Sequence, residues 1–287
     1  MKKIDTRESV MIVSDNSLID AKGLSHLSLN GRKLFFLAIG QCRVNDDHFY
    51  TFETTPAELA ALWQVSRQDV YQNAQTICSE LMQIVITTRT GRKAFKMRHL
   101  FELCEYDDNS KVIFKLHSEM SDLLLGLRQD FSKPLLDDFM RMRSRYSMEI
   151  WHVFQKKMGS QKPLLHQVIQ FEASLDELRA VTGTEDKLKQ IGQFKERVLD
   201  KAIAEIRREC LVDIKYTHIK EGRRIVGFCF TAQSALGYVD ESRLSVKTRK
   251  RARKAELIRK RATVGLTASE QAELLDIVSD LEAEESI

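Results

Sequence analysis

Arg197, Lys201 and Arg208 stand four and seven residues apart. At 100° per residue that spacing sets the three cations on one side of a helix. Guanidinium and ammonium groups arrayed in this way donate hydrogen bonds to phosphate oxygens and to the acceptor edges of bases. Arg223 and Arg224 follow Gly222 in EGRR, a second cationic point where a glycine turn favours phosphate contact over base reading. Other chemistries lack their residues. Gly222 and Gly227 have the spacing of a phosphate-binding loop, but Phe228 stands where that loop needs lysine, and a hairpin rather than a helix surrounds them. Histidines 26, 48, 99, 117, 152, 166 and 218 have no metal-ligand spacing with one another or with cysteine. There is no GxSxG elbow, and no histidine pair with the tyrosine nucleophile that a DNA-nicking enzyme would need. The expectation is therefore binding, not catalysis, with no cofactor and no metal.

The element carrying the first three cations is KLKQIGQFKERVLDKAIAEIRREC. Phe194, Val198, Leu199, Ala202, Ile203, Ile206 and Cys210 form one apolar stripe. The opposite side holds Arg197, Lys201, Ala204 and Arg208, flanked by Asp200 and Arg207, and Ala204 would let a surface come close. The helix is expected to end near Glu209. LVDIKYTHIK then alternates as a strand, EGRR turns at Gly222, and IVGFCFTA returns as a second strand. Ahead of these, KPLLDDFMRMRSRYSMEIWHVFQKK reads as one long helix with Tyr146, Ile150, Trp151 and Phe154 inward. VIQFEA reads as a short strand, and LDELRAVTG as a helix capped by Ser174, with Glu177 at the capping-box position, and stopped by Gly183.

The first part of the chain has the same order. LSLNGRKLFFLAIGQCR is helical from about Leu29, and HFYTFE is a short strand. Thr55, Pro56 and Glu58 make a capping-box start for PAELAALWQV. A turn at Ser66-Arg67-Gln68 leads into the helix DVYQNAQTICSELMQ. The strand IVITTRT, the strand FKMRHLFELCEY beyond Gly91, a turn at DDNS, the strand KVIFKLHS and the helix SDLLLGL follow. Two units in the order strand, helix, turn, helix, hairpin point to tandem winged helix-turn-helix domains, an α+β and mostly helical architecture. The expected division is residues 1–130, residues 131–240 and a charged tail, 241–287. Arg67, Gln68 and Gln72 face outward in the first unit, on a helix far less basic than its counterpart.

The net charge is only +4 over 287 residues, so charge distribution says more than the sum. From Arg243 to Arg261 there are ten cations and one acid, Glu256. From Glu270 onward there are acids and no cation. That end reads as a short helix with Leu274, Leu275, Ile277, Val278 and Leu281; solvated charges pairing loosely and phosphate binding are both open for the tail. Five cysteines, at 42, 78, 104, 210 and 229, form no CxxC pair and are expected as reduced thiols. No targeting segment and no apolar run of membrane-spanning length is legible, so a cytoplasmic protein is expected.

The chain resembles the replication initiator proteins of iteron-containing bacterial plasmids over roughly residues 10 to 235. The resemblance lies in LSLNGRKLFFLAIGQCR, SRQDVYQNAQTICSELMQ and RSRYSMEIWHVFQKK, and is strongest in QFKERVLDKAIAEIRRECLVDIKYTHIKEGRRIVGFCFTA. Phe194-Lys195, the helix from Ala202 to Ile206 and Gly222-Arg223 match elements that recur in that family. The resemblance implies binding to direct repeats of double-stranded origin DNA, mainly by the second domain, with origin opening and recruitment of the host initiator and replicative helicase. It also implies repression of the protein's own promoter by a dimer formed through the first domain. Lys195 joins the candidate DNA contacts on this ground, alongside Lys189, Gln193, Arg197, Lys201, Arg208, Arg223, Arg224, Arg67, Gln68 and Gln72. A winged-helix transcriptional regulator without a replication role and a protein-binding module remain as alternatives. The tail beyond Tyr238 departs from the family's common core.

Overall fold

The hydroxyl of Ser28 accepts the Gly31 N–H at 3.1 Å and starts helix α1 (Leu29–Gly40). In this computed structural model, residues 1–6, 10–21, 23–43, 45–89, 91, 93–107, 111–127, 131–160, 162–163, 167–235, 253–254, 257–258, 260–261 and 265–285 are described. Every residue from Gly31 to Gly40 is buried. The stripe expected around Leu34, Leu37 and Ala38 is thus part of a helix enclosed on all sides, at the centre of the molecule.

Strand β1 (Phe52–Thr54) leads to α2 (Pro56–Trp63), whose capping box between Thr55 and Glu58 is complete. Helix α3 (Arg67–Gln83) starts at the cap Ser66, which accepts the Asp69 N–H at 3.0 Å. Arg67 and Gln68, expected in the turn, therefore form its first turn. Val70, Ala74, Ile77 and Leu81 carry the buried face of α3, at the spacing an amphipathic helix requires.

The strand expected over FKMRHLFELCEY is two strands in two sheets. β2 (Val85–Arg89) and β3 (Phe95–His99) pair as a separate antiparallel hairpin. β4 (Phe101–Tyr106) and β5 (Val112–Leu116) join β1 and Lys2–Lys3 in a sheet of order (2–3)–β1–β5–β4. The break falls at Leu100, because Leu100 and Phe101 are both buried and two consecutive inward residues break strand alternation. The Leu100 carbonyl accepts His117 N–H at 2.9 Å across the corner. The helix expected over SDLLLGL is a single turn, Ser121–Leu124.

The second long helix is also broken. α4 (Leu136–Met140) and α5 (Arg145–Lys157) flank a bend, where Ser144 caps α5 by accepting the Ser147 N–H at 3.4 Å. At that bend the Glu205 carboxylate accepts the Arg143 N–H at 2.9 Å, so an acceptor distant in sequence takes a donor that a continuous helix would have used itself. β6 (Val168–Ser174) and α6 (Leu175–Thr182) follow, with Ser174 accepting the Glu177 N–H at 3.0 Å. The Glu177 side chain pairs with Lys157 at 3.0 Å. Gly183, at φ +62°, ends α6.

Ile191–Phe194, Lys195–Leu199 and Asp200–Cys210 then run as one helix, α7, whose middle segment is a π turn. β7 (Val212–Glu221) and β8 (Arg224–Ser234) form a long hairpin, and β8 also pairs antiparallel with β6. Gly227 lies where β8 passes β6: a Cβ there would meet the Ala173 carbonyl oxygen at 2.8 Å.

One apolar core joins the two units. Phe36 of α1 meets Phe139 of α4 and His152 of α5 edge-on, at ring separations of 4.7 and 5.1 Å. Phe154, Phe171 and Phe230 pack α5 onto β6 and β8 at 4.6 to 5.3 Å. A buried ion pair joins Arg32 of α1 to Glu149 of α5 beside the Phe36 contacts. Burial, then the nearby Arg145, pull the Arg32 pKa down to about 9, which leaves it charged at neutral pH. Burial above all, then Arg32 and Lys156, hold His152 down to about 3, so it packs as a neutral ring. No helix is long and apolar enough to cross a membrane among the described residues. Cys210 is buried and the other four cysteines are half-buried, all with free thiols.

Candidate nucleic-acid interface

Helix α7 packs Phe194, Val198, Leu199, Ala202, Ile206 and Cys210 inward, against α5 and β7. Ile203, expected in the same stripe, is only half-buried, and Glu205 lies inward instead. Arg197, Lys201, Ala204, Arg207 and Arg208 are exposed along the outer face. Their positions differ in electrostatic company. Arg208 donates to Glu209 at 2.7 Å and to Glu205 at 3.3 Å, which raises its pKa, the Glu209 hydrogen bond first. Arg207 pairs with Asp213 at 3.5 Å. Arg197 and Lys201 make no ion pair among the described residues. Asp200 is engaged too, accepting the Tyr216 hydroxyl at 2.6 Å; burial first, and that bond second, push the tyrosine's pKa up.

The π turn displaces the first part of α7 from the phase of a regular helix. Such turns cluster at functional sites. Lys195 lies within it, half-buried, with its ammonium 5.6 Å from the centre of the Tyr216 ring. Gln193, two residues earlier, is half-buried, and Lys189 is exposed just ahead of the helix.

At the hairpin tip Glu221 pairs with Arg224, leaving Gly222-Arg223 as a two-residue loop. Gly222 has φ +61°, a value that a two-residue hairpin loop demands at its first position and that glycine adopts without strain. Arg223 and Arg224 are both exposed and make no ion pair among the described residues. Together with Lys189, Ile191 and Arg179 they line one surface groove. The fold thus brings the wing tip beside the start of α7, although some thirty residues separate them in the chain.

Arg179 is a residue that sequence reasoning passed over. It is 8% exposed, and its guanidinium donates to four carbonyls of the turn between α6 and α7. The distances are 3.0 Å to Thr184, 3.1 Å to Lys187, 2.9 Å to Leu188 and 3.2 Å to Lys189. Its carbon also lies 4.9 Å from the Phe194 ring centre. One side chain therefore sets the turn that aims α7. Nothing in LDELRAVTG distinguishes it from a solvated arginine on a helix.

Arg67, Gln68 and Gln72 are exposed on α3, which packs on α1, α2 and β4. They belong to a different surface element from the α7 set. The β2–β3 hairpin, which follows α3 in the chain, carries exposed Arg89 and Lys93, neither in an ion pair among the described residues. The signal for this first wing was Gly91-Arg92-Lys93, which parallels Gly222-Arg223-Arg224. Reading residues 95–106 as one strand concealed it. Among the described residues no cluster of histidine, cysteine or carboxylates has the arrangement of a metal site.

Comparison with known proteins finds two winged-helix regions, the first of them running on through α4 and into α5. The family model for Initiator Replication protein, WH1, matches residues 11–155, and that for Initiator Rep protein, WH2, matches residues 174–232. The PI protein of Escherichia coli is 32% identical over 109 residues, which span 36% of this chain and 36% of that relative. A crystal structure of the Pi initiator protein in complex with iteron DNA superposes with a TM-score of 0.66 at 21% identity, covering 79% of this chain and 98% of that one. At that identity the likeness shows the fold.

Proposed function

Because the chain belongs to the initiator replication protein family, with its two winged-helix domains, we propose that it is a plasmid replication initiator that binds iterons, the direct repeats of its origin, as double-stranded DNA. The observation that carries this reading is the cationic outer face of α7 beside the wing tip, with Arg197, Lys201, Arg223 and Arg224 exposed and without ion pairs among the described residues. A helix of this kind enters the major groove and the wing follows the backbone. Phosphate contacts fix register, and the few side chains that reach base edges supply specificity.

In this reading residues 131–240 make the main contact. Residues 1–130 add auxiliary contacts through Arg67, Gln68 and Gln72 and provide the dimer surface. Binding of several copies along the repeats promotes origin opening and recruits the host initiator and replicative helicase. The dimer represses the protein's own promoter at an inverted repeat. None of these steps calls for catalysis by the chain or for a cofactor.

The test is a gel-shift titration with the tandem repeats beside the gene, spaced about two helical turns or about 21 base pairs, against a scrambled duplex of the same composition. A preference of at least about 10³-fold for the repeats, weakening steeply with salt, is the expected result. Equal affinity for both duplexes would overturn the reading. Binding to a promoter palindrome without binding to direct repeats would reassign the protein as a transcriptional regulator.

A further inference from the structure

The tail lies outside both matched regions, and its described part has a fold of its own. Arg253, Lys254, Leu257, Ile258, Lys260 and Arg261 are helical. The Gly265 N–H donates back to the Lys260 carbonyl at 2.9 Å, and Gly265 has φ +89°, a turn that reverses the chain. Helix α8 (Ala268–Glu285) then begins with a capping box: Thr267 accepts the Glu270 N–H at 3.3 Å, and Glu270 accepts the Thr267 N–H at 3.0 Å. The two helical stretches meet over Leu257, Leu274 and Ile277, a small apolar cluster separate from the main core.

Charge binds the same two stretches. Glu273 takes the guanidinium of Arg253 with both oxygens, at 2.8 and 2.9 Å, in the forked geometry with which arginine also grips a phosphate. Glu270 takes Lys260 at 2.5 Å. The Lys260 bond first, and the Thr267 N–H second, hold the Glu270 carboxyl down at about 2. Between Arg243 and Arg261 the sequence has ten cations against one acid, and α8 has seven acids and no cation. Along α8, Glu270, Glu273 and Asp276 recur every three residues, a line of negative charge like that of a nucleic-acid backbone.

We propose that the basic helical stretch bearing Arg253, Lys254, Lys260 and Arg261 is a second, sequence-independent binding element for DNA phosphates, and that α8 occupies it in the free protein as an internal competitor. The hairpin suits this role because it is weakly held. Three buried apolar side chains are far fewer than a domain core has, and ion pairs still partly open to water add little stability. A duplex presents more negative charge than α8 does and releases counterions when bound, so DNA displaces the acidic helix once α7 has brought it near. Free protein is thereby kept off random DNA, and protein already seated on its site gains a further grip. This goes beyond repeat recognition and does not depend on it.

The experiment uses the full chain and a random-sequence duplex without repeats, with affinity read by fluorescence anisotropy across a salt series. The variant Glu270→Gln/Glu273→Gln should bind this duplex several-fold more tightly at low salt. Its slope of log K against log salt should be steeper by about two, from two further phosphate contacts. In that background, Arg253→Ala/Lys260→Ala should return the slope to that of the unmodified chain or below it. Unfolding of the hairpin in the first variant frees the same cations and gives the same gain, so it does not obscure the result. An unchanged affinity and slope in the first variant, or a gain that survives the second set of substitutions, would overturn the proposal. Neither outcome bears on whether the protein prefers its repeats, which the scrambled-duplex comparison decides separately.

Discussion

Arg197 and Arg208 were equivalent as letters on a helical wheel, and their surroundings separate them. The Arg208 guanidinium is already shared between Glu205 and Glu209. Moving it to DNA gives up those bonds, and the exchange leaves little net gain. Arg197 gives up no ion pair among the described residues. Arg197→Ala is therefore expected to weaken repeat binding by about 1–3 kcal/mol, the range for a bidentate base contact, and Arg208→Ala by clearly less. Gel shifts at one fixed salt concentration measure both. If Arg208→Ala proved the costlier substitution, its contacts within the helix would have to reorganise on DNA, and this ranking would be reversed.

At the scale of the element, the wing and α7 divide the work. The wing tip is the two-residue loop Gly222-Arg223, with Arg224 at the start of β8; both arginines are exposed, and they meet the duplex as cations near the backbone. Arg223→Ala/Arg224→Ala should lower affinity for repeat and scrambled duplexes by the same factor and reduce the salt slope by about one or two. A change in sequence preference instead would mean that the wing reads bases in a groove. The aim of α7 depends on Arg179, which ties down the turn ahead of it through four carbonyls. It touches the candidate surface only at the groove beneath the wing tip.

At the scale of the molecule, the seam between α1 and helices α4 and α5 is both apolar and charged. Arg32 and Glu149 pair out of reach of water beneath Phe36 and Phe139. Such a pair adds little over an apolar substitute, yet losing one partner strands a buried charge. Glu149→Ala is expected to cost about 3–5 kcal/mol of stability. Arg32→Met/Glu149→Leu together should cost much less. Urea unfolding of the two variants tests this; equal losses would show that the packing of these side chains, rather than their charge, holds the seam.

The local elements of this protein were legible from sequence because their causes are local. Thr55 with Glu58, Ser66 with Asp69, and Ser174 with Gly183 mark helix ends through hydrogen bonds made within three residues or a backbone angle that glycine adopts freely. The apolar stripe of α7 and the alternation of β7 and β8 likewise come from periodicity alone. Tertiary structure decided what rests on distant partners. The bend between α4 and α5 uses Glu205, sixty-two residues from Arg143. The corner at Leu100 exists because two neighbouring side chains are both drawn into the core. The phase of α7 shifts at a π turn that no residue type announces. Which cations remain available was decided in the same way: a sequence counts charges, but only the fold determines which of them already have a carboxylate within reach.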